Sequence, residues 1–209
     1  MAPNQIKICG ITIVEEALKI AQMGVGALGF IFYPPSPRYL PLEKAQALIF
    51  ALPPFVQKIG VFVNSPLEEI EKAYTQTKLD CVQLHGEESP EFTKALSQKN
   101  IPWYKAFRIR PNFDFQQIQK YSCEKVLLDS FDEKAHGGTG KIFDWQSLKN
   151  LTRSKKIILS GGLNTENVQT AIQLAKPDAL DASSGVEVSP GKKDLEKVKK
   201  FIHQACPRL

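Results

Sequence analysis

The chain has 209 residues, 43% of them hydrophobic, and carries 27 Lys and Arg against 22 Asp and Glu for a net charge of +5. That is enough apolar material for one substantial core without disulfides or metal, and the four cysteines, Cys9, Cys81, Cys123 and Cys206, are too scattered for a zinc site or a disulfide framework. No basic stripe interleaved with aromatics marks a nucleic-acid surface, and no apolar run approaches the roughly 18 residues of a membrane span, so the expectation is one cytoplasmic domain over residues 1–209 with neither nucleic-acid nor membrane partners.

Taken in order, apolar runs of strand length recur at Gln5–Cys9, Ala27–Phe32, Gln57–Phe62, Cys81–Leu84, Trp103–Phe107, Val126–Asp129, Lys156–Leu159 and Ala179–Asp181, eight in all. Between them lie segments with apolar residues at helical spacing: Ala17, Leu18 and Ala21, then Ala45, Leu48 and Ile49, then Ile70, Ala73 and Tyr74, then Phe92, Ala95 and Leu96. Phe115 with Ile118, and Trp145 with Leu148 and Leu151, continue the series; Val168, Ala171, Ile172 and Ala175, and then Leu195, Val198 and Ile202, complete it. Helix starts are expected at Thr12 with Glu15 and Glu16, at Ser65-Pro66 with Glu68 and Glu69, and at Ser89-Pro90 with Glu91. Lysines gather near Lys192–Lys200, where Lys197, Lys199 and Lys200 alternate with Val198, Phe201 and Ile202 as on a solvated helix face.

Strict β-then-α alternation predicts the α/β class with a parallel sheet, and eight repeats predict a closed (β/α)8 TIM barrel in a single compact domain. Its catalytic face is the one where the loops after the strands gather. Two longer loops, Tyr33–Pro41 and Ser130–Lys141, are expected there.

Reactive side chains fall at three strand ends. Cys9 shares an inward face with Lys7, whose charge, with the positive end of the next helix, would favour the thiolate; a small buried hydrophobe is the alternative. Asp129 ends an apolar strand, where a carboxyl is expensive to bury without a partner or a task; it reads as a general acid or as a cap of the following loop. Asp181 closes the eighth strand. Ile158–Asn164 and Asp181–Glu187 are turns rich in backbone and poor in side chains, with a helical pattern from Asn164. Gly161, Gly162, Ser184 and Gly185 would let amide N–H groups meet a phosphate. Arg38, in a loop stiffened by prolines, carries the fork that matches a carboxylate. His85 reads as a strand-end histidine bonded to backbone. Gly137–Lys141 lacks the spacing of a nucleotide loop.

Nine motifs in order, Lys7-Ile-Cys-Gly-Ile-Thr12, Gly29-Phe-Ile-Phe, Ser36-Pro-Arg-Tyr39, Gly60-Val-Phe-Val-Asn64, Gln83-Leu-His-Gly-Glu87, Leu128-Asp129, Gly137–Lys141 with Phe143-Asp-Trp145, Ser160-Gly-Gly-Leu163 and Ser183-Ser-Gly-Val-Glu187, resemble the phosphoribosylanthranilate isomerase family from residue 5 to about residue 195. The resemblance implies an Amadori rearrangement in tryptophan biosynthesis on a small phosphoribosyl-anthranilate substrate, with no cofactor and no metal. It also implies Asp129 as general acid, Cys9 as general base, Arg38 on the anthranilate carboxylate at the far end from the phosphate, and Asp181 near the anthranilate nitrogen. Ser160 and Ala182 depart from the family's usual residues in the cradle. Indole-glycerol-phosphate synthase and a non-catalytic phosphosugar-binding barrel are the rivals; the first calls for a lysine acid, the second for loss of the reactive pair. Oligomeric state stays open.

Overall fold

The computed structural model describes residues 5–110, 112–130, 145–148 and 154–206. Eight parallel strands close on one another in chain order: β1 (Ile6–Cys9), β2 (Ala27–Ile31), β3 (Gln57–Phe62), β4 (Cys81–Leu84), β5 (Trp103–Ile109), β6 (Lys125–Ser130), β7 (Lys156–Leu159) and β8 (Ala179–Ala182). β8 returns to β1 with Lys7 opposite Asp181, and β1 meets β2 with Cys9 opposite Gly29. Around them run α1 (Val14–Gln22), α2 (Leu42–Phe50), α3 (Leu67–Thr77), α4 (Pro90–Gln98), α5 (Val168–Ala175) and α6 (Leu195–Ala205). The expected barrel is present, and no described helix is long and apolar enough to cross a membrane.

The strands form because both of their faces are covered. Ile6 and Ile8, Leu28 and Phe30, Val82 and Leu84, and Val126 and Leu128 point outward beneath the helices and are fully or almost fully buried, each side chain contributing about 1.5–3 kcal/mol by leaving water. The opposite phase faces the barrel axis, and there polar side chains join the apolar ones. Lys7 Nζ donates to Gln83 Oε1 and to Asp181 Oδ2, both at 2.8 Å, while the Tyr104 hydroxyl donates to the same Gln83 oxygen at 2.7 Å. Charges this deep are tolerated only when paired and hydrogen-bonded together.

Several local expectations change. Phe115 and Ile118 lie on a six-residue 3-10 helix (Phe115–Lys120), and Trp145 and Leu148 on another (Trp145–Leu148); residues three apart eclipse when a turn takes three residues, so these short stretches close without an α-helix. Leu151 lies outside the described residues, as do residues 131–144 with the Gly137–Lys141 motif. Ser89 caps α4 as expected, accepting from the Phe92 N–H at 3.2 Å. Thr12 does not cap α1: its hydroxyl donates to the Gly191 carbonyl instead. Ser65 does not cap α3 either, whose first turn is entered through Pro66.

The main surprise is a hairpin, β9 (Glu187–Ser189) and β10 (Lys192–Lys193), reached from β8 through a short 3-10 turn (Ser184–Val186). Lys197, Lys199 and Lys200 do lie on the exposed face of α6, but Lys193 is 3% exposed. It belongs to the hairpin rather than to a solvated face.

Candidate active site

At the C-terminal ends of the strands lies a hollow of about 770 Å³, counting its open mouth, walled by Cys9, Arg38, Asp129, Gly161, Gly162, Asp181 and Ser184 among others. Seven of the eight residues expected to act together therefore meet. Gly185 is absent from the wall. A Cβ there would stand 2.0 Å from the Leu163 carbonyl oxygen, so this glycine lets the turn after β8 lie against the turn after β7. Ile31, Tyr33, Val61 and Val63 give the cavity an apolar side along β2 and β3.

Cys9 comes from the end of β1, and Gly29 makes room for it: a Cβ on Gly29 would lie 2.7 Å from the Cys9 sulfur and 2.9 Å from the Lys7 stem. Burial pushes the Cys9 thiol above its ordinary range, and the nearby Lys7 charge only partly opposes this. Burial thus favours the neutral thiol, against the expectation that Lys7 would favour the thiolate. The Lys7 ammonium is committed to Asp181 and Gln83, and α1 starts only at Val14. Burial is the largest single influence on Lys7 and pulls its ammonium down, yet Asp181, Cys9 and Tyr104 together hold it above the usual lysine range. Burial likewise pushes the Asp181 carboxyl up against the pull of Lys7. Asp181 Oδ1 is buried with no partner among the described residues.

Asp129 is the penultimate residue of β6 and is 6% exposed. The reading of His85 as bonded to backbone is corrected here: its Nε2 meets Asp129 Oδ2 at 3.1 Å and its Nδ1 meets Gln83 Nε2 at 2.9 Å. The sense of these bonds follows from Lys7. An ammonium has only donors, so the Gln83 atom facing it is the carbonyl, and the amide nitrogen must donate to His85 Nδ1. His85 then carries its proton on Nε2 and donates to Asp129, holding one carboxyl oxygen.

The glycine turn behaves as a cradle. Gly161 and Gly162 both have positive φ, at 85° and 69°, and their N–H groups and that of Ser184 donate to no described residue. The chain becomes helical later than expected, at Val168 rather than Asn164; Asn167 Nδ2 donates to the Gly162 carbonyl at 2.9 Å and pins the turn.

Arg38 is 8% exposed. Its stem crosses Gly10, where a Cβ would stand 2.6 Å from Arg38 Cδ and 3.2 Å from Ser183 Oγ, and its side chain lines the cavity. Gln83, His85, Arg108 and Ser183 also line the cavity without having been proposed as binding or catalytic residues from the sequence. Inward phase on β4 and β5 was the available signal for the first three.

The family model for N-(5'phosphoribosyl)anthranilate (PRA) isomerase matches residues 6–204. The chain belongs to the phosphoribosylanthranilate isomerase family. An N-(5'-phosphoribosyl)anthranilate isomerase from Geobacter metallireducens is 42% identical over 96% of this chain and 98% of its own length, and one from Syntrophus aciditrophicus is 45% identical over 95% and 86%. The crystal structure of phosphoribosyl anthranilate isomerase from Thermotoga maritima superposes with a TM-score of 0.87 at 40% identity, covering 98% of each chain. A structure of such an isomerase in complex with reduced 1-(o-carboxyphenylamino)-1-deoxyribulose 5-phosphate superposes at 0.84, with 38% identity and the same coverage.

Proposed function

We propose that this isomerase converts N-(5-phosphoribosyl)anthranilate to 1-(2-carboxyphenylamino)-1-deoxyribulose 5-phosphate, a step of tryptophan biosynthesis, with Asp129 as general acid and Cys9 as general base. The observation that carries the assignment of roles is that the Asp129 carboxyl, the Cys9 thiol, the Arg38 guanidinium and the bare amides of a glycine turn share a single cavity, with Asp181 and Arg108 also in its wall. Asp129 gives a proton to the furanose ring oxygen; the C1′–O bond breaks with its electrons on oxygen, and the nitrogen lone pair makes the iminium. Cys9 as thiolate removes the C2′ proton, and the electrons of that bond close the enolamine, which tautomerises to the ketone. Atoms and electrons balance without an outside oxidant or reductant.

The remaining groups serve binding. Gly161, Gly162 and Ser184 offer their N–H groups to the phosphate, with Gly185 keeping the two turns together. The unpartnered Asp181 Oδ1 accepts the anthranilate N–H, the apolar side along β2 and β3 takes the ring, and Arg38 takes the carboxylate. The four free thiols, all buried, fit a reducing cytoplasm.

The direct test is the fluorescence of freshly made phosphoribosylanthranilate, expected to decay on addition of the protein; decay no faster than in buffer alone would overturn the reading. A pH profile tests the pair. Catalysis needs a proton on the Asp129 carboxyl and the Cys9 thiol ionised, an arrangement lost once the pair gives up its last proton. kcat/KM is therefore expected to decline on the alkaline side as that proton goes to solvent. Burial raises that limit above the ordinary range of a thiol, so a decline with its midpoint below about 8.5, the range of an unburied thiol, would contradict the assignment. Arg38→Ala is expected to raise KM about 10- to 100-fold with kcat little changed, as loss of uniform binding does; an unchanged KM would remove Arg38 from the site.

A further inference from the structure

Arg38 is held by the hairpin, and the way it is held decides which of its N–H groups remain for a ligand. Its Nε donates to Glu187 Oε1 at 2.9 Å and Oε2 at 3.1 Å, and its Nη2 donates to Oε2 at 2.7 Å. One edge of the guanidinium is thereby consumed, while Nη1 and the second Nη2 hydrogen remain along the other edge. Glu187 is itself fixed: it is 7% exposed, accepts from Lys193 Nζ at 2.7 Å and from the Gly191 N–H at 3.3 Å. The hairpin is tied down in turn by the Thr12 hydroxyl on the Gly191 carbonyl and by the Lys193 N–H on Glu16 Oε2 at 2.9 Å.

The charge count matters as much as the geometry. A lone carboxylate paired with Arg38 would cancel the charge that attracts an anion. Here Lys193, whose side chain is fully buried, shares the same carboxylate, so Glu187 is divided between two cations rather than matched to Arg38 alone. Burial presses the Glu187 carboxyl upward, but the Arg38 hydrogen bond and the Lys193 charge outweigh it and leave Glu187 below the usual carboxylate range, so it is already ionised when a ligand arrives.

We infer that Glu187 is a positioning residue for substrate binding: together with Lys193 it locks Arg38 so that the free edge of the guanidinium meets the anthranilate carboxylate. This rests on the reading of Arg38 given above, and the test separates the two. Affinity is measured for the reduced product and for its counterpart made from aniline, which lacks the carboxylate, alongside KM and kcat. Glu187→Gln is expected to weaken the carboxylated ligand about 10-fold and the aniline ligand less than about twofold, with KM following and kcat within about twofold. In an Arg38→Ala background the same change is expected to add nothing, because residues acting through one another are not additive.

Removing a charge from a buried cluster destabilises it, so thermal melting is followed, and Glu187→Asp serves as the second variant. It keeps the charge but withdraws the carboxylate by one methylene, and should show the same selectivity with a smaller loss of about 3- to 5-fold. If Arg38→Ala weakens the carboxylated ligand selectively while both Glu187 variants leave it unchanged, the positioning role falls and the Arg38 reading stands. Equal weakening of both ligands by Arg38→Ala would assign the guanidinium to the phosphate beside Ser183 and overturn both. A Glu187→Gln loss that persists in the Arg38→Ala background would show that Glu187 acts by another route.

Discussion

Asp129→Asn is expected to lower turnover at least ~100-fold, the lower end for a lost general acid, while the reduced product still binds. The substitution is close to isosteric, and the asparagine oxygen can still accept from His85 Nε2, which now approaches Asp129 Oδ2 at 3.1 Å. What vanishes is the ionisable proton: an amide in the same place cannot protonate the ring oxygen, so the bound sugar stays closed. Steady-state kinetics alongside a binding titration separate the two effects. Turnover within a fewfold of the parent would take Asp129 out of the chemistry, whereas lost binding and lost turnover together would make it a structural cap.

Cys9→Ala is expected to be as damaging, again at least ~100-fold, for the complementary reason. Ring opening proceeds, but nothing at the end of β1 accepts the C2′ proton. The packing loss is small, about 1 kcal/mol by analogy with other single-atom deletions in cores, because the sulfur's neighbours, Gly29 and the stem of Lys7, are held by the strand register and by the Lys7 ion pair. Cys9→Ser separates base from bulk. A hydroxyl fills much of the same space but does not ionise in the working pH range, so the serine variant should be about as slow as alanine. Recovery of turnover by serine would mean that the thiol contributes only packing.

The architecture was legible because the residues that make it are local. Runs such as Val126-Leu-Leu and Lys156-Ile-Ile-Leu declare strands in their own composition, and Cys81–Leu84 and Lys156–Leu159 form at the expected bounds. Membership of one site was legible for the same reason: a residue at the end of a barrel strand can face only one mouth. Electrostatics were less legible, because the partners lie far apart in the chain. Lys7 looked available to activate Cys9, but its ammonium is taken by residues 76 and 174 positions away, and nothing short of the strand register reveals that. His85 failed similarly, since its partner Asp129 is 44 positions away.

The hairpin escaped for another reason. Glu187-Val-Ser and Lys192-Lys carry no apolar alternation, and the Pro190-Gly191 turn between them was the one mark present. Lys193 was consequently grouped with the solvated lysines of α6, although its partner Glu187 is only 6 residues away. Glu187 itself ended a motif taken for its phosphate turn, so its hold on Arg38 was hidden by the better-known part of the same stretch.

In the proposed mechanism a thiol from β1 and a carboxyl from β6 address one bound sugar with opposite duties, and a structure of this chain with reduced 1-(o-carboxyphenylamino)-1-deoxyribulose 5-phosphate bound is the sharpest test. Asp129 is expected within hydrogen-bond reach, roughly 2.6–3.2 Å, of the oxygen that came from the furanose ring, and the Cys9 sulfur in contact with C2′. A ligand seated with its phosphate away from Gly161 and Gly162, or with either side chain turned from the sugar, would contradict that mechanism.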